Sequence, residues 1–183
     1  MTRHLSLEEL QEGRSGILLS PEDRGILRAI VIRPEVEARL SLQQCELSPE
    51  GGVHGDNWAK ACWMSLPDGR PHPDVQVTIM NARTIALIAQ DEARWPLAGD
   101  NLFVDLDLSA ENLPPGTRLS VGSALLEITA VPHKGCRKFA QRYGVDATRF
   151  VNSRDGLRLH LRGIYARIVE RGVVAVGDAV EKL

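Results

Sequence analysis

Residues 102–131 read LFVDLDLSAENLPPGTRLSVGSALLEITAV, and this stretch decides the fold class. It predicts three strands, at 102–108, 118–121 and 124–131, parted by turns at 113–116 and at Gly122. Parallel neighbours need a crossover of about a dozen residues or more, usually a helix, and these gaps are too short for one. Working outward, residues 75–80 predict a strand with Val75, Val77 and Ile79 inward. Asn81 caps a helix running to about Arg94, with Ile85, Ile88 and Ala89 on one face. Residues 25–33 (GILRAIVIR) predict a strand stopped by Pro34. Residues 35–47 alternate, with Val36, Ala38, Leu40 and Leu42 on one face. Ser6-Leu7-Glu8-Glu9 matches a capping box and predicts a short helix over 6–12, ended around Gly13. Further on, 135–143 and 145–151 predict short helices. Strands at 164–169 and 173–176 are joined by Glu170-Arg171-Gly172 as a hairpin turn. Seven to nine strands against three or four helices give a mainly β, α+β chain, a mostly antiparallel barrel or sandwich with helical insertions. No linker divides residues 1–183, which read as a single domain.

Composition narrows the function. The chain has 183 residues, 43% of them hydrophobic, enough for a core without disulfide or metal staples. No apolar run reaches the ~18–20 residues of a bilayer span, and residues 1–12 lack a secretory apolar core, so the expectation is a cytoplasmic protein with no membrane partner. A net charge of −2 argues against nucleic acid as a partner. The charge is unevenly placed. Between His133 and Arg171 ten Lys or Arg face three acids, Asp146, Asp155 and Glu170.

No G-x-S-x-G, H-E-x-x-H, P-loop or dinucleotide fingerprint occurs. The three cysteines, Cys45, Cys62 and Cys136, form no C-x-x-C pair. Cys45 and Cys62 read as packing residues. Around Cys136 stand Lys134, Arg137, Lys138 and Arg142 and no carboxylate. Adjacent cations and the N–H groups of a helix start favour a thiolate over a thiol, which suits a nucleophilic or sulfur-carrying role. The other reading is a small core residue sharing a helix face with Phe139, Ala140 and Tyr143. Periodicity alone leaves both open.

Five motifs, in order, resemble the MOSC domain, named after the C-terminal part of molybdenum-cofactor sulfurase. They are Gly52-Val53-His54-Gly55-Asp56, Glu111-Asn112-Leu113, Cys136-Arg137-Lys138-Phe139, Arg162-Gly163-Ile164-Tyr165 and Gly177-Asp178. The resemblance spans residues 25–180, with 1–20 as a helical extension, and is to stand-alone, bacterial-type members. One departure stands out: many members place Arg-Pro before the key thiol, where this chain has Lys134-Gly135.

The resemblance implies a β-barrel that binds molybdenum cofactor or handles its sulfur, with Cys136 as persulfide carrier or metal ligand. Arg137, Lys138, Arg162 and Arg167 are the candidate anion contacts, since guanidinium forks suit a pterin phosphate. Asp56 and Asn112 are motif positions that, read by themselves, are turn and cap residues. No pyridoxal phosphate (PLP) is expected in this chain; it would belong to a separate cysteine desulfurase partner. Three functions stay open: a sulfur carrier, a molybdenum-dependent reductase of N-hydroxylated compounds served by an electron-donor flavoprotein, and a non-catalytic interaction module. A molybdoenzyme is the other candidate partner.

Overall fold

The computed structural model describes residues 3–183. In chain order the first elements are α1 (Leu7–Ile17), β1 (Arg24–Ile32), β2 (Leu40–Leu42), β3 (Gln44–Ser48), β4 (Gly52–Val53) and α2 (Trp58–Ala61). Next come β5 (Val77–Asn81), α3 (Ala82–Ala89), β6 (Leu102–Asp105), β7 (Arg118–Val121) and β8 (Ala124–Ile128). The chain continues with α4 (Arg137–Tyr143), α5 (Val145–Asn152), α6 (Arg154–Arg158), β9 (Ile164–Glu170), β10 (Gly172–Ala175) and β11 (Ala179–Lys182).

Seven strands close into a barrel in the order β1-β11-β7-β8-β9-β5-β6 and back to β1. Every pairing in it is antiparallel except β5–β6, whose parallel register is reached through α3. The mostly antiparallel barrel expected from the sequence is therefore the fold. A second, small sheet, β10-β3-β4, packs against it, with Cys45, Leu47, Val53 and Val174 in the same core.

The two-residue period of the strands builds two cores at once. Leu27, Ile30, Val77, Ile79, Leu102 and Val104 fill the barrel. The alternate side chains Val31, Met80 and Phe103 face outward, where Leu10, Ile85, Phe139, Tyr143 and Phe150 of the helices cover them. This is why β5 is buried along its whole length.

Several local expectations are corrected. The Ser6–Glu9 capping box forms, but α1 runs on through Gly13 to Ile17, because Leu87 of α3 packs where a side chain at position 13 would stand. The alternation over 35–47 is not one strand: the backbone turns at Glu37 with φ 64°, Val36 is exposed, and only the short β2 and β3 remain. The helix after Asn81 stops at Ala89, capped by Gln90 in the left-handed region, and residues 92–98 form a 3-10 turn. Residues 170–172 are a corner, not a hairpin: β9 pairs with β5 and β8, while β10 crosses to β3. The closing strand β11 and the helix α6 are additional elements.

Candidate functional site

One end of the barrel gathers charged residues from five segments. Arg33 and Arg39 follow β1, Asp56 sits in the turn after β4, and Asp100 and Asn101 lie just before β6. His133 belongs to the loop leading into α4, and Arg162 and Tyr165 flank the start of β9.

Arg33 grips Asp56 with two parallel bonds, Nε to Oδ2 at 2.9 Å and Nη2 to Oδ1 at 2.8 Å. The Asp56 side chain is fully buried and also accepts from the Trp58 backbone and from Asn101. It is thus a turn residue and a member of the cluster together. Burial weakens the Arg33 charge, but the hydrogen-bonded carboxylate of Asp56 outweighs it and leaves its pKa raised.

The second pair is deeper. Arg162 Nη1 donates to Asp100 Oδ2 at 2.6 Å and its Nη2 to Ala98 O at 3.0 Å, while the guanidinium stacks 4.9 Å from the Phe139 ring centroid. Both side chains are buried. Burial pushes the Asp100 carboxyl upward, and Arg162, Arg33 and Arg39 oppose it. His133 packs on Tyr165 with ring centroids 4.6 Å apart. Burial, reinforced by Arg162 and Arg33, holds the imidazole pKa well below its usual value, so the ring is neutral.

Four buried polar atoms of this cluster have no hydrogen-bond partner: Arg39 Nε, Asp100 Oδ1, His133 Nδ1 and Arg162 Nε. Burial, Arg142 and Arg33 together lower the Arg39 pKa. Lys138 and Arg142 of α4 reach Glu37 at 2.7 and 2.6 Å, and their hydrogen bonds draw its carboxyl below the usual range.

Cys136 stands at the N-cap of α4 with its side chain exposed and making no cap bond, because the helix begins at Arg137, two residues later than the sequence suggested. It lies between His133 and Phe139, which both touch the Asp100–Arg162 pair. Arg137 and Lys138 are exposed in the first turn. Arg162 joins the cluster from within, its guanidinium committed to Asp100 and Ala98. Two candidates lie outside it. Arg167, on β9, is paired with Glu127 and Asp74. The Asn112 amide donates to Glu22 O and Asp107 O and accepts from Lys182, which ties loops together. Cys45 is buried, and burial pushes its thiol pKa up to about 11. Among the described residues no group of three His, Cys, Asp or Glu side chains could hold a metal ion, and no helix is long and apolar enough to cross a membrane.

Arg33, Arg39, Asp100 and His133 are the members that sequence reasoning missed as site residues. His133 was visible only as the start of the basic segment that holds the thiol, and no sequence pattern pointed to Asp100.

A closed seven-stranded mixed barrel, with an arginine–carboxylate cluster beside an exposed cysteine, defines a small β-barrel domain of a recognisable kind. The family model described as MOSC domain matches residues 54–181, and the chain belongs to that family. Among solved structures it is similar to the YuaD protein of Bacillus subtilis, with a TM-score of 0.63 and 16% identity over 87% of this chain and 95% of that one. YiiM of Escherichia coli has a TM-score of 0.55 and 15% identity over 86% of this chain and 69% of that one. YiiM of Geobacillus stearothermophilus follows at 0.53 and 14%, covering 87% and 73%. At these identities the likeness concerns the fold. Comparison with curated protein sequences gives no match.

Proposed function

We propose that the protein binds an anionic molybdenum cofactor at this end of the barrel, with Cys136 as the side chain that ligates the metal or carries sulfur to it. The observation that carries this reading is the pair of buried guanidinium N–H groups without acceptors, Arg39 Nε and Arg162 Nε, in a cluster that His133 and Phe139, on either side of the exposed Cys136 in the chain, both contact. A buried donor left unpaired costs about 1–3 kcal/mol, which an anion's oxygens would offset. The cations of the cluster (Arg33, Arg39, Lys138, Arg142 and Arg162) also outnumber its carboxylates, Glu37, Asp56 and Asp100.

The residues present fit such a group. Its phosphate calls for guanidinium donors, and its metal, already held by the pterin's own sulfurs, needs only one protein thiolate. Arg39 and Arg142 would hold the phosphate and Cys136 would face the metal. When bound, the cofactor would supply redox or sulfur-transfer chemistry. The chain's own residues have simpler tasks: Asp100 fixes Arg162, Phe139 covers one face of the guanidinium, and neutral His133 leaves the Asp100 carboxylate to Arg162. A cysteine desulfurase, a molybdoenzyme or an electron-donor flavoprotein is the partner class in this reading.

The test is metal and sulfur analysis of protein made in a host competent for cofactor synthesis. The expected result is near-stoichiometric molybdenum or cyanide-releasable sulfur, either one lost in Cys136→Ser. Molybdenum with reductase activity on N-hydroxylated compounds, given a flavoprotein donor, selects the oxidoreductase form of the reading. Releasable sulfur alone selects the carrier form. Neither signal overturns both and leaves a non-catalytic module.

A further inference from the structure

A cavity of about 280 Å3 opens along the loop that leads to Cys136. Its walls are mostly apolar, with Leu113, Ile128, Val131 and Ile164 among them, while Lys134, His133 and His160 add polar groups to the lining. An apolar cavity of about 150 Å3 holds one benzene molecule, so this one has room for a fused two-ring system of roughly ten to twelve non-hydrogen atoms.

His160 gives the cavity a chemical sign. Its backbone is left-handed, φ 49°, and its Nδ1 lies 2.7 Å from Leu108 O. A carbonyl oxygen only accepts, so Nδ1 carries a hydrogen, and Nε2 is the ring nitrogen left to serve as an acceptor. Among the described residues no side chain or backbone group donates to that nitrogen. A mostly apolar pocket with an imidazole acceptor in its wall suits a ligand that is flat, largely apolar and supplied with a donor.

We propose that this cavity is a binding site for a small aromatic molecule bearing a hydroxyl or N–H group, of the phenol, indole or aniline class, which donates to His160 Nε2. The site borders the arginine cluster, because His133 belongs to both, but neither Cys136 nor an arginine lines it and the proposal does not rest on the cofactor reading.

Titration calorimetry of the full chain with 2-naphthol tests it. The expected dissociation constant is about 10–100 μM, in keeping with the ligand efficiency of small aromatic molecules. The methyl ether 2-methoxynaphthalene, which has no donor, should bind about tenfold more weakly. Ala110 and Ala130 are exposed residues of the lining. Either Ala130→Trp or Ala110→Trp should fill the mouth and weaken 2-naphthol at least about tenfold, with the melting temperature showing that the variant folds. Cys136→Ser should bind 2-naphthol as the parent does. The proposal is overturned by absence of saturable binding, by equal affinity for the ether, or by unchanged affinity in both folded tryptophan variants. Loss of binding in Cys136→Ser would also sink it, because the ligand would then sit at the thiol.

Discussion

His133 Nδ1 lies 3.7 Å from Asp100 Oδ1, and neither atom has a hydrogen-bond partner. The separation is too long for a direct hydrogen bond, so Nδ1 donates nothing to the carboxylate. A neutral ring with its hydrogen on Nε2 satisfies this geometry, and burial beside Arg162 and Arg33 keeps the ring neutral. The loop before Cys136 is thus packed against the barrel, on Tyr165, through a ring that takes up no second proton.

That relationship makes stability pH-dependent. In the unfolded chain a histidine takes up its proton near pH 6.5, whereas folded His133 does so only at much lower pH. Stability from this group is therefore complete above about pH 6.5 and is lost as pH falls below it, by up to about 1.4 kcal/mol per pH unit. In His133→Phe, which keeps an aromatic ring against Tyr165, that part of the slope should vanish. Urea denaturation between pH 7 and pH 5 measures it, and equal slopes in the two proteins would refute the neutral ring.

The Asp100–Arg162 pair should behave as a buried pair whose partners depend on each other. Arg162→Met leaves the Asp100 carboxylate buried without its donor and should cost about 3–5 kcal/mol. Adding Asp100→Asn removes the stranded charge, and the double variant should recover about 2 kcal/mol of that loss. Chemical denaturation of the four proteins of the cycle gives the coupling. Additive losses would mean that the two side chains are independent.

The three thiols should separate by reactivity. Cys136 is exposed, Cys62 half-buried, and Cys45 both buried and raised to about 11. Alkylation by iodoacetamide near pH 8, followed by mass spectrometry of peptides, should modify Cys136 first and Cys45 only on unfolding. Cys136→Ser should change stability by less than about 0.5 kcal/mol, since the side chain makes no cap bond. Early labelling of Cys45 would contradict its placement between the strands.

Most of the barrel was legible in the sequence because six of its seven strands carry their own signal, the closing β11 being the exception. Branched residues at 102–104 and turn residues at 114–116 fix pairing within a few positions of themselves. The site was legible only where it is local, as at Cys136 with its flanking cations. Asp100, His133 and Arg162 are far apart in the chain and meet only because β6 and β9 both flank β5, and no periodicity encodes such a meeting. The same holds at the corner after β9: Glu170-Arg171-Gly172 has hairpin chemistry, yet β8 already occupies the edge that β10 would need. Arg162 illustrates the limit of reading charge alone. A buried carboxylate 62 positions away claims the guanidinium that composition offers to a ligand.

Glu37 is the residue whose removal should strengthen anion binding. It is the carboxylate that Lys138 and Arg142 both contact, and its backbone is held in the left-handed region, so the loop after β1 presents it toward α4. An incoming phosphate must compete with it for the same two cations. Glu37→Gln preserves size and polar contacts and removes the charge. Calorimetry with inorganic pyrophosphate should show tighter binding to the variant than to the parent, the difference shrinking at about 0.5 M salt as exposed charges are screened. Weaker binding would mean that Glu37 serves instead to hold Lys138 and Arg142 in position, and the anion site would then be assembled by this carboxylate, not blocked by it.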